Sequence, residues 1–385
     1  VDGQVINRLI PAAVLLILAF MPGTGGWQVR NAPISRYETI GSGEWISTSR
    51  GVKPVDTPVK KRSGEVTSGN AAAPMSKQHQ TPAQLWQYLQ TLLNQSDFQQ
   101  IPIIGRIFAE RLRKHPDPEV YRNIADLLLQ PNVSLEIKAI LLDLLAEIAT
   151  PDSLAQLITL AEQQAHSSLY ILVLQAISRI GDNRWDGEFH EELSPALETA
   201  WSNAEINDQA FLNAVGKAIA AVGAPNGVDQ LLLTVSGSNS DKEPEETNRI
   251  KQEVAFDVIP QVRNPDAVEV LSTWLGQEPL GTPASEVSAN ALAGIGSSAA
   301  AQKIVDWAKE APAEGARNLK DWLSKIDDDN ALKSISAAQN QVFRHPEIKA
   351  VINSVAARID SNTALSVTTD GEKNSDVLPS PLLGE

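Results

Sequence analysis

The chain has 385 residues, 42% of them apolar and 5% aromatic, and it contains no cysteine. That excludes disulfides, thiolate metal sites, cysteine nucleophiles and lipid attachment through a cysteine. The net charge is −15, but residues 1–80 hold 9 Lys+Arg against 5 Asp+Glu, so residues 81–385 carry 23 against 42. A stretch this acidic repels phosphate backbones, so no nucleic-acid partner is expected.

Residues 9–21 read LIPAAVLLILAFM, thirteen residues without a charge, with Arg8 before them and Pro22-Gly23-Thr24-Gly25-Gly26 after. A membrane span wants about 20 apolar residues, and a run of this length suits the hydrophobic region of a signal peptide. Residues 1–25 are therefore expected to be a signal peptide or N-terminal anchor. The rest of the chain would then be periplasmic or secreted, or held at a membrane through residues 9–21 with its folded part outside the cytoplasm. Residues 26–80 turn to Ser, Thr, Gly, Pro and Lys without a helical face, which predicts a flexible linker.

From Thr81-Pro82 onward the sequence is helical. Thr suits an N-cap and Pro the first helical position. Leu85, Trp86, Leu89, Leu92 and Leu93 form the first apolar stripe. Arg106, Arg111, Arg113 and Lys114 make a local basic cluster, read first as a solvated face in which Glu110 pairs with Arg106 or Lys114, the alternative being an anion or partner patch. Residues 137–161 then set the pattern. Ile137, Ile140, Leu141, Leu144, Leu145 and Ile148 fall on one helical face, Thr150-Pro151-Asp152 starts a new helix, and Leu154, Leu157 and Ile158 carry a second face. The same neighbourhood returns around Pro118, Asn183, Pro225, Pro265 and Ser298. With Pro151 in place, these marks stand 33, 32, 42, 40 and 33 residues apart. Such periods signal two-helix units that cannot bury their faces alone.

Gly181, Gly223 and Gly296 each follow the last apolar residue of a first helix, where a left-handed cap is expected. Residues 236–248, SGSNSDKEPEETN, read as an acidic loop inside a repeat. A helix over 316–326 and a final unit near Pro346 follow. Residues 361–385 lack periodicity and are expected to be a disordered tail.

Ala176-Ile177-x-x-Ile180-Gly181, Ile219-x-x-Val222-Gly223 and Leu292-x-x-Ile295-Gly296 resemble the HEAT or armadillo class of α-solenoid. The resemblance covers residues 81–360. It implies an all-α fold, an α-solenoid of about six to seven HEAT-like helical hairpins, and it specifies fold far more than function.

No catalytic constellation emerges. His190-Glu191-Glu192-Leu193-Ser194 has Ser where a zinc protease helix needs its second His. Asp182-Asn183-Arg184-Trp185-Asp186-Gly187 begins like a calcium loop, but Arg184 and Leu193 occupy ligand positions. Gly294-Ile295-Gly296-Ser297-Ser298-Ala299 follows a helix rather than a strand, against a dinucleotide site. Asp327-Asp328-Asp329 reads as a helix terminus. No cofactor and no metal site are predicted. The expected function is a non-enzymatic, exported scaffold holding another protein in its groove. Asp241, Glu243, Glu245 and Glu246 are the candidate contacts for a basic segment of that partner. The alternative is a HEAT-like enzyme resembling the phycobilin lyases, which use the groove to hold a cofactor.

Overall fold

The computed structural model describes residues 80–95, 98–165, 167–204, 208–237 and 245–371. The expected export segment, the linker before residue 80 and the chain beyond Gly371 lie outside them. The described residues are all-helical and alternate between two layers. One layer holds α2 (Ile101–Lys114), α4 (Leu135–Ile148), α6 (Ser168–Ile180), α8 (Gln209–Val222), α10 (Glu245–Val258), α12 (Pro283–Ile295), α14 (Ala316–Leu323) and α16 (Pro346–Gly371). The other holds α1 (Pro82–Gln95), α3 (Pro118–Leu129), α5 (Pro151–Gln163), α7 (Ser194–Asn203), α9 (Pro225–Val235), α11 (Val268–Gln277), α13 (Ser298–Glu310) and α15 (Asp329–Ala337). Each helix packs on its neighbours within a layer and on the adjoining helices of the other, so the array is repeat-like. Among the described residues, strand structure is limited to one isolated bridge, Trp185 to Glu188.

Local chemistry sets the helix starts. Thr150 caps α5 in a reciprocal box: its hydroxyl accepts from the Ser153 N–H at 3.3 Å, and the Ser153 hydroxyl accepts from the Thr150 N–H at 2.9 Å. Asp117, Asp208, Thr282, Ser297 and Asp328 cap α3, α8, α12, α13 and α15 through side-chain oxygens. Leu85, Trp86, Leu89, Leu92 and Leu93 are buried, and Leu145 is 1% exposed. These faces make one continuous core running through both layers.

Three expectations need correction. Gly223 and Gly296 are left-handed caps, with φ of 63° and 64°, but Gly181 is right-handed. Its smallness serves packing instead: a Cβ there would lie 2.8 Å from the Ala218 carbonyl oxygen of α8. The left-handed cap of α4 falls on Ala149, with φ of 49°. Second, no helix starts at Asn183. The chain first forms a long connection and a 3-10 turn, Glu191–Leu193, and α7 begins at Ser194. Third, the acidic stretch 236–248 is not all loop, because α10 begins at Glu245. The last helix, α16, runs to Gly371.

The repeat period also appears in the side-chain bonds. Arg179 to Asp143, Asn183 to the Ala146 carbonyl, Trp185 to the Glu147 carbonyl, Arg184 to the Ala221 carbonyl, Lys303 to Glu269 and Lys325 to Asn290 all join residues 34 to 38 apart. Each ties one unit to its neighbour.

Candidate functional site

The rejected motifs all have structural work. His190 is 1% exposed, and its Nδ1 lies 3.0 Å from the Nη2 of Arg113. Asp182-Asn183-Arg184-Trp185-Asp186-Gly187 forms a connection closed by the Trp185–Glu188 bridge, with positive φ at Asp186 and Gly187. The Asn183, Arg184 and Trp185 side chains bond carbonyls of neighbouring helices, while Asp182 and Asp186 are exposed. The indole N–H of Trp185 donates to the Glu147 carbonyl at 2.8 Å, and Arg184 donates to the Ala221 carbonyl at 2.8 Å. Arg106 lies over the Trp185 ring at 5.3 Å and Arg184 over the Phe189 ring at 3.9 Å. Gly296 caps α12, and Gly294 lets the Arg263 guanidinium lie flush on the helix, where a Cβ would stand 2.6 Å from Nη1. Asp328 caps α15 through bonds from the Asn330 and Ala331 N–H groups. Among the described residues no three His, Asp or Glu side chains gather as a metal site.

The basic cluster on α2 divides. Lys114 pairs with Glu110 at 2.7 Å on the surface. Arg113 is not a solvated residue. It donates to the Ile148 carbonyl at 3.2 Å, to the Ala149 carbonyl, to His190 and to Glu192 at 2.6 Å. Burial pushes the Glu147 and Asp182 carboxyls above their ordinary range, with Arg106 opposing at Glu147 and Arg184 at Asp182. Burial also lowers the Arg184 guanidinium. Sequence reasoning missed this ridge of side chains gripping helix ends. Its signal was the recurrence of Asn or Arg just after first helices, as at Asn183, Arg184 and Asn264.

Of the four residues expected to bind a partner, Asp241 and Glu243 lie outside the described residues. Glu245 opens α10, and Glu246 is exposed in its first turn. Acids there suit the positive end of the helix dipole.

A broader acidic surface belongs to the layer of second helices. The sequences of α5, α7, α9 and α11 contain no Lys, Arg or His. They carry Asp152, Glu162, Glu198, Asp229 and Glu269, and the turns leading into α7 and α11 add Glu191, Glu192 and Asp266. Asp152, Glu162, Glu191, Glu192, Asp266 and Glu269 are exposed. Among the described residues, Arg113 reaches Glu192 from α2 and Lys303 reaches Glu269 at 2.8 Å from α13. Both cations come from the flanks. Trp274, half-buried on α11, donates its indole N–H to Asp229 at 2.7 Å, so its ring is fixed between α9 and α11. The other layer differs: Ile103, Leu135 and Ile171 stand exposed near the starts of α2, α4 and α6.

Among the described residues no helix is long and apolar enough to cross a membrane. No family model matches the chain, and no curated protein matches it. Solved structures give weak likenesses. Human deoxyhypusine hydroxylase in complex with glycerol is 16% identical over 62% of this chain and 84% of its own, with a TM-score of 0.26. A computationally designed self-assembling cyclic homooligomer is 14% identical over 73% of this chain and 95% of its own, with a TM-score of 0.16. Superpositions this poor carry no argument about chemistry or assembly.

Proposed function

We propose that the chain is a non-enzymatic interaction scaffold of the HEAT or armadillo type, exported or held outside the cytoplasm, whose second-helix layer receives a basic segment of another protein. The observation that carries the reading is the charge of that layer: four consecutive second helices hold acids and no cation. Stacked repeats turn such a layer into one extended surface. A field of one sign attracts a cationic segment at long range and speeds its encounter. In the sequence, residues 236–248, with Asp241, Glu243, Glu245 and Glu246, follow α9 directly and add acidic charge. Export rests on residues 9–21 and their flanks.

The test uses fluorescence anisotropy with a labelled peptide rich in Arg and Lys, and an acidic peptide of equal length as control. The basic peptide should bind, and its association rate should fall as salt rises through the range where the screening length shrinks below about 10 Å. Asp152→Asn, Glu162→Gln, Asp266→Asn and Glu269→Gln together should slow association at least about tenfold at low salt. Equal binding of the two peptides, or no effect of the four substitutions, removes the basis for this reading.

A further inference from the structure

Residues 181–193, between α6 and α7, do more than connect. Their end reaches across two units. His190 and Glu192 bond Arg113, 77 and 79 residues away, and Glu191 accepts from the Asn264 side chain 73 residues away at 3.1 Å. Through Arg113 the connection is joined to the C-terminal carbonyls of α4. It lies over the array as a strap.

The bond at its centre works in one protonation state only. A guanidinium has donors and no lone pair, so the Nδ1 of His190 must accept from Arg113. The imidazole is therefore neutral, with its proton on Nε2. Nε2 is buried and finds no hydrogen-bond partner, and the Asn183 backbone influences the ring least of the groups around it.

We propose that residues 181–193 form an acid-released strap: a proton on Nδ1 of His190 breaks its bond to Arg113, and the segment lifts from α2 and α4. The proton comes from solvent and turns an acceptor into a donor that faces a donor. The charged groups around the ring set the direction. Arg113 from α2 and Arg184 from the strap oppose a second positive charge, and Glu192 of the 3-10 turn favours it. Glu192 stands 3.7 Å from Nδ1, and its Oε1 is already engaged by Arg113 at 2.6 Å. Burial first, then Arg113, pushes His190 down to about 4 from 6.5 while the strap is closed. Once lifted, the ring is solvated and titrates near its ordinary value. Acid therefore favours the lifted state increasingly as pH falls from about 6.5 to about 4.

Hydrogen exchange of the full chain at pH 7.5 and 5.0, corrected for intrinsic rates, tests this. The strap's opening equilibrium should rise roughly ten- to thirtyfold at the lower pH, while amides of α12 and α13 change far less. In His190→Gln, which keeps a neutral acceptor, that excess should vanish. Wild type and variant showing the same pH dependence would overturn the proposal. A second measurement needs no variant. Imidazole NMR of the five histidines should show one that titrates well below the others at the low end of the range. Five ordinary titrations would equally overturn it.

Discussion

Arg113 meets four acceptors on two parts of the fold: the carbonyls of Ile148 and Ala149 ending α4, and, in the strap, the ring of His190 and the carboxylate of Glu192. Only a planar fork of donors can serve them together. Its loss would leave two helix-end carbonyls and a buried ring nitrogen without a donor, each a desolvated group of the kind that costs about 1–3 kcal/mol. Arg113→Ala should therefore lower stability by roughly 2–4 kcal/mol, and Arg113→Lys should recover less than half of that. Arg122→Ala, exposed on α3, should fall within about 0.5 kcal/mol of wild type. Chemical denaturation of the three variants checks the ranking, and equal losses for Arg113→Ala and Arg122→Ala would contradict it. None of this was readable from the sequence, where Arg113 looks like any other member of a basic cluster. Its partners lie 35 to 79 residues away, and composition carries no trace of contacts at that range.

The helices themselves were far more legible, because the signals that start and stop them act over a few residues. Thr150-Pro151 and Ser297-Ser298 mark starts found in the structure, and the apolar face of α1 is buried as its spacing requires; on α4 Leu141, Leu144, Leu145 and Ile148 are buried, but Ile137 and Ile140 are half-buried and Leu142, off that face, is buried too. The mark at Asn183 failed because α6 ends where expected while the next helix waits for Ser194-Pro195, beyond the strap. The glycines after first helices show why one pattern hides three physical situations. Gly296 has φ of 64° and open space, the nearest atom to an added Cβ being the Ala293 oxygen at 3.7 Å. Gly223 has φ of 63°, and a Cβ there would meet the Asn264 Cβ at 2.5 Å. Gly181 has ordinary backbone angles but no space beside α8. Gly296→Ala should cost about 1 kcal/mol, the left-handed penalty alone. Gly223→Ala adds a collision and should cost roughly 2–4 kcal/mol, and Gly181→Ala should cost a similar amount through overpacking alone. Thermal melts of the three would refute this if Gly296→Ala were the most damaging.

At the scale of the whole array, most cross-unit bonds reach only the next unit, as in Arg179 to Asp143 and Lys303 to Glu269. An array tied only in this way behaves as a row of neighbours, and a defect in one place leaves distant units folded. The strap departs from that rule. Its 3-10 turn is bonded backward to Arg113 on α2 and forward to Asn264 before α11, so the two bonds skip a unit in each direction. The stretch from α2 to α11 should therefore unfold as one block, wider than nearest-neighbour contacts would make it. Beyond it, α13 and α15 are joined by the single-period bond of Ser298 to Ser334 at 2.7 Å, so the C-terminal helices should open more independently. Glu191→Ala with Glu192→Ala removes the forward tie and one of the two backward ties at exposed positions without touching the apolar core, leaving only the bond of His190 to Arg113. In urea, hydrogen exchange of wild type should show α4, α6 and α8 opening together at one free energy. In the double variant that shared opening should separate, with α4 released at lower urea than α8 by an amount on the order of 1 kcal/mol, the worth of such bonds. If α4 and α8 still open together in the double variant, the two carboxylate ties contribute nothing to the size of the block.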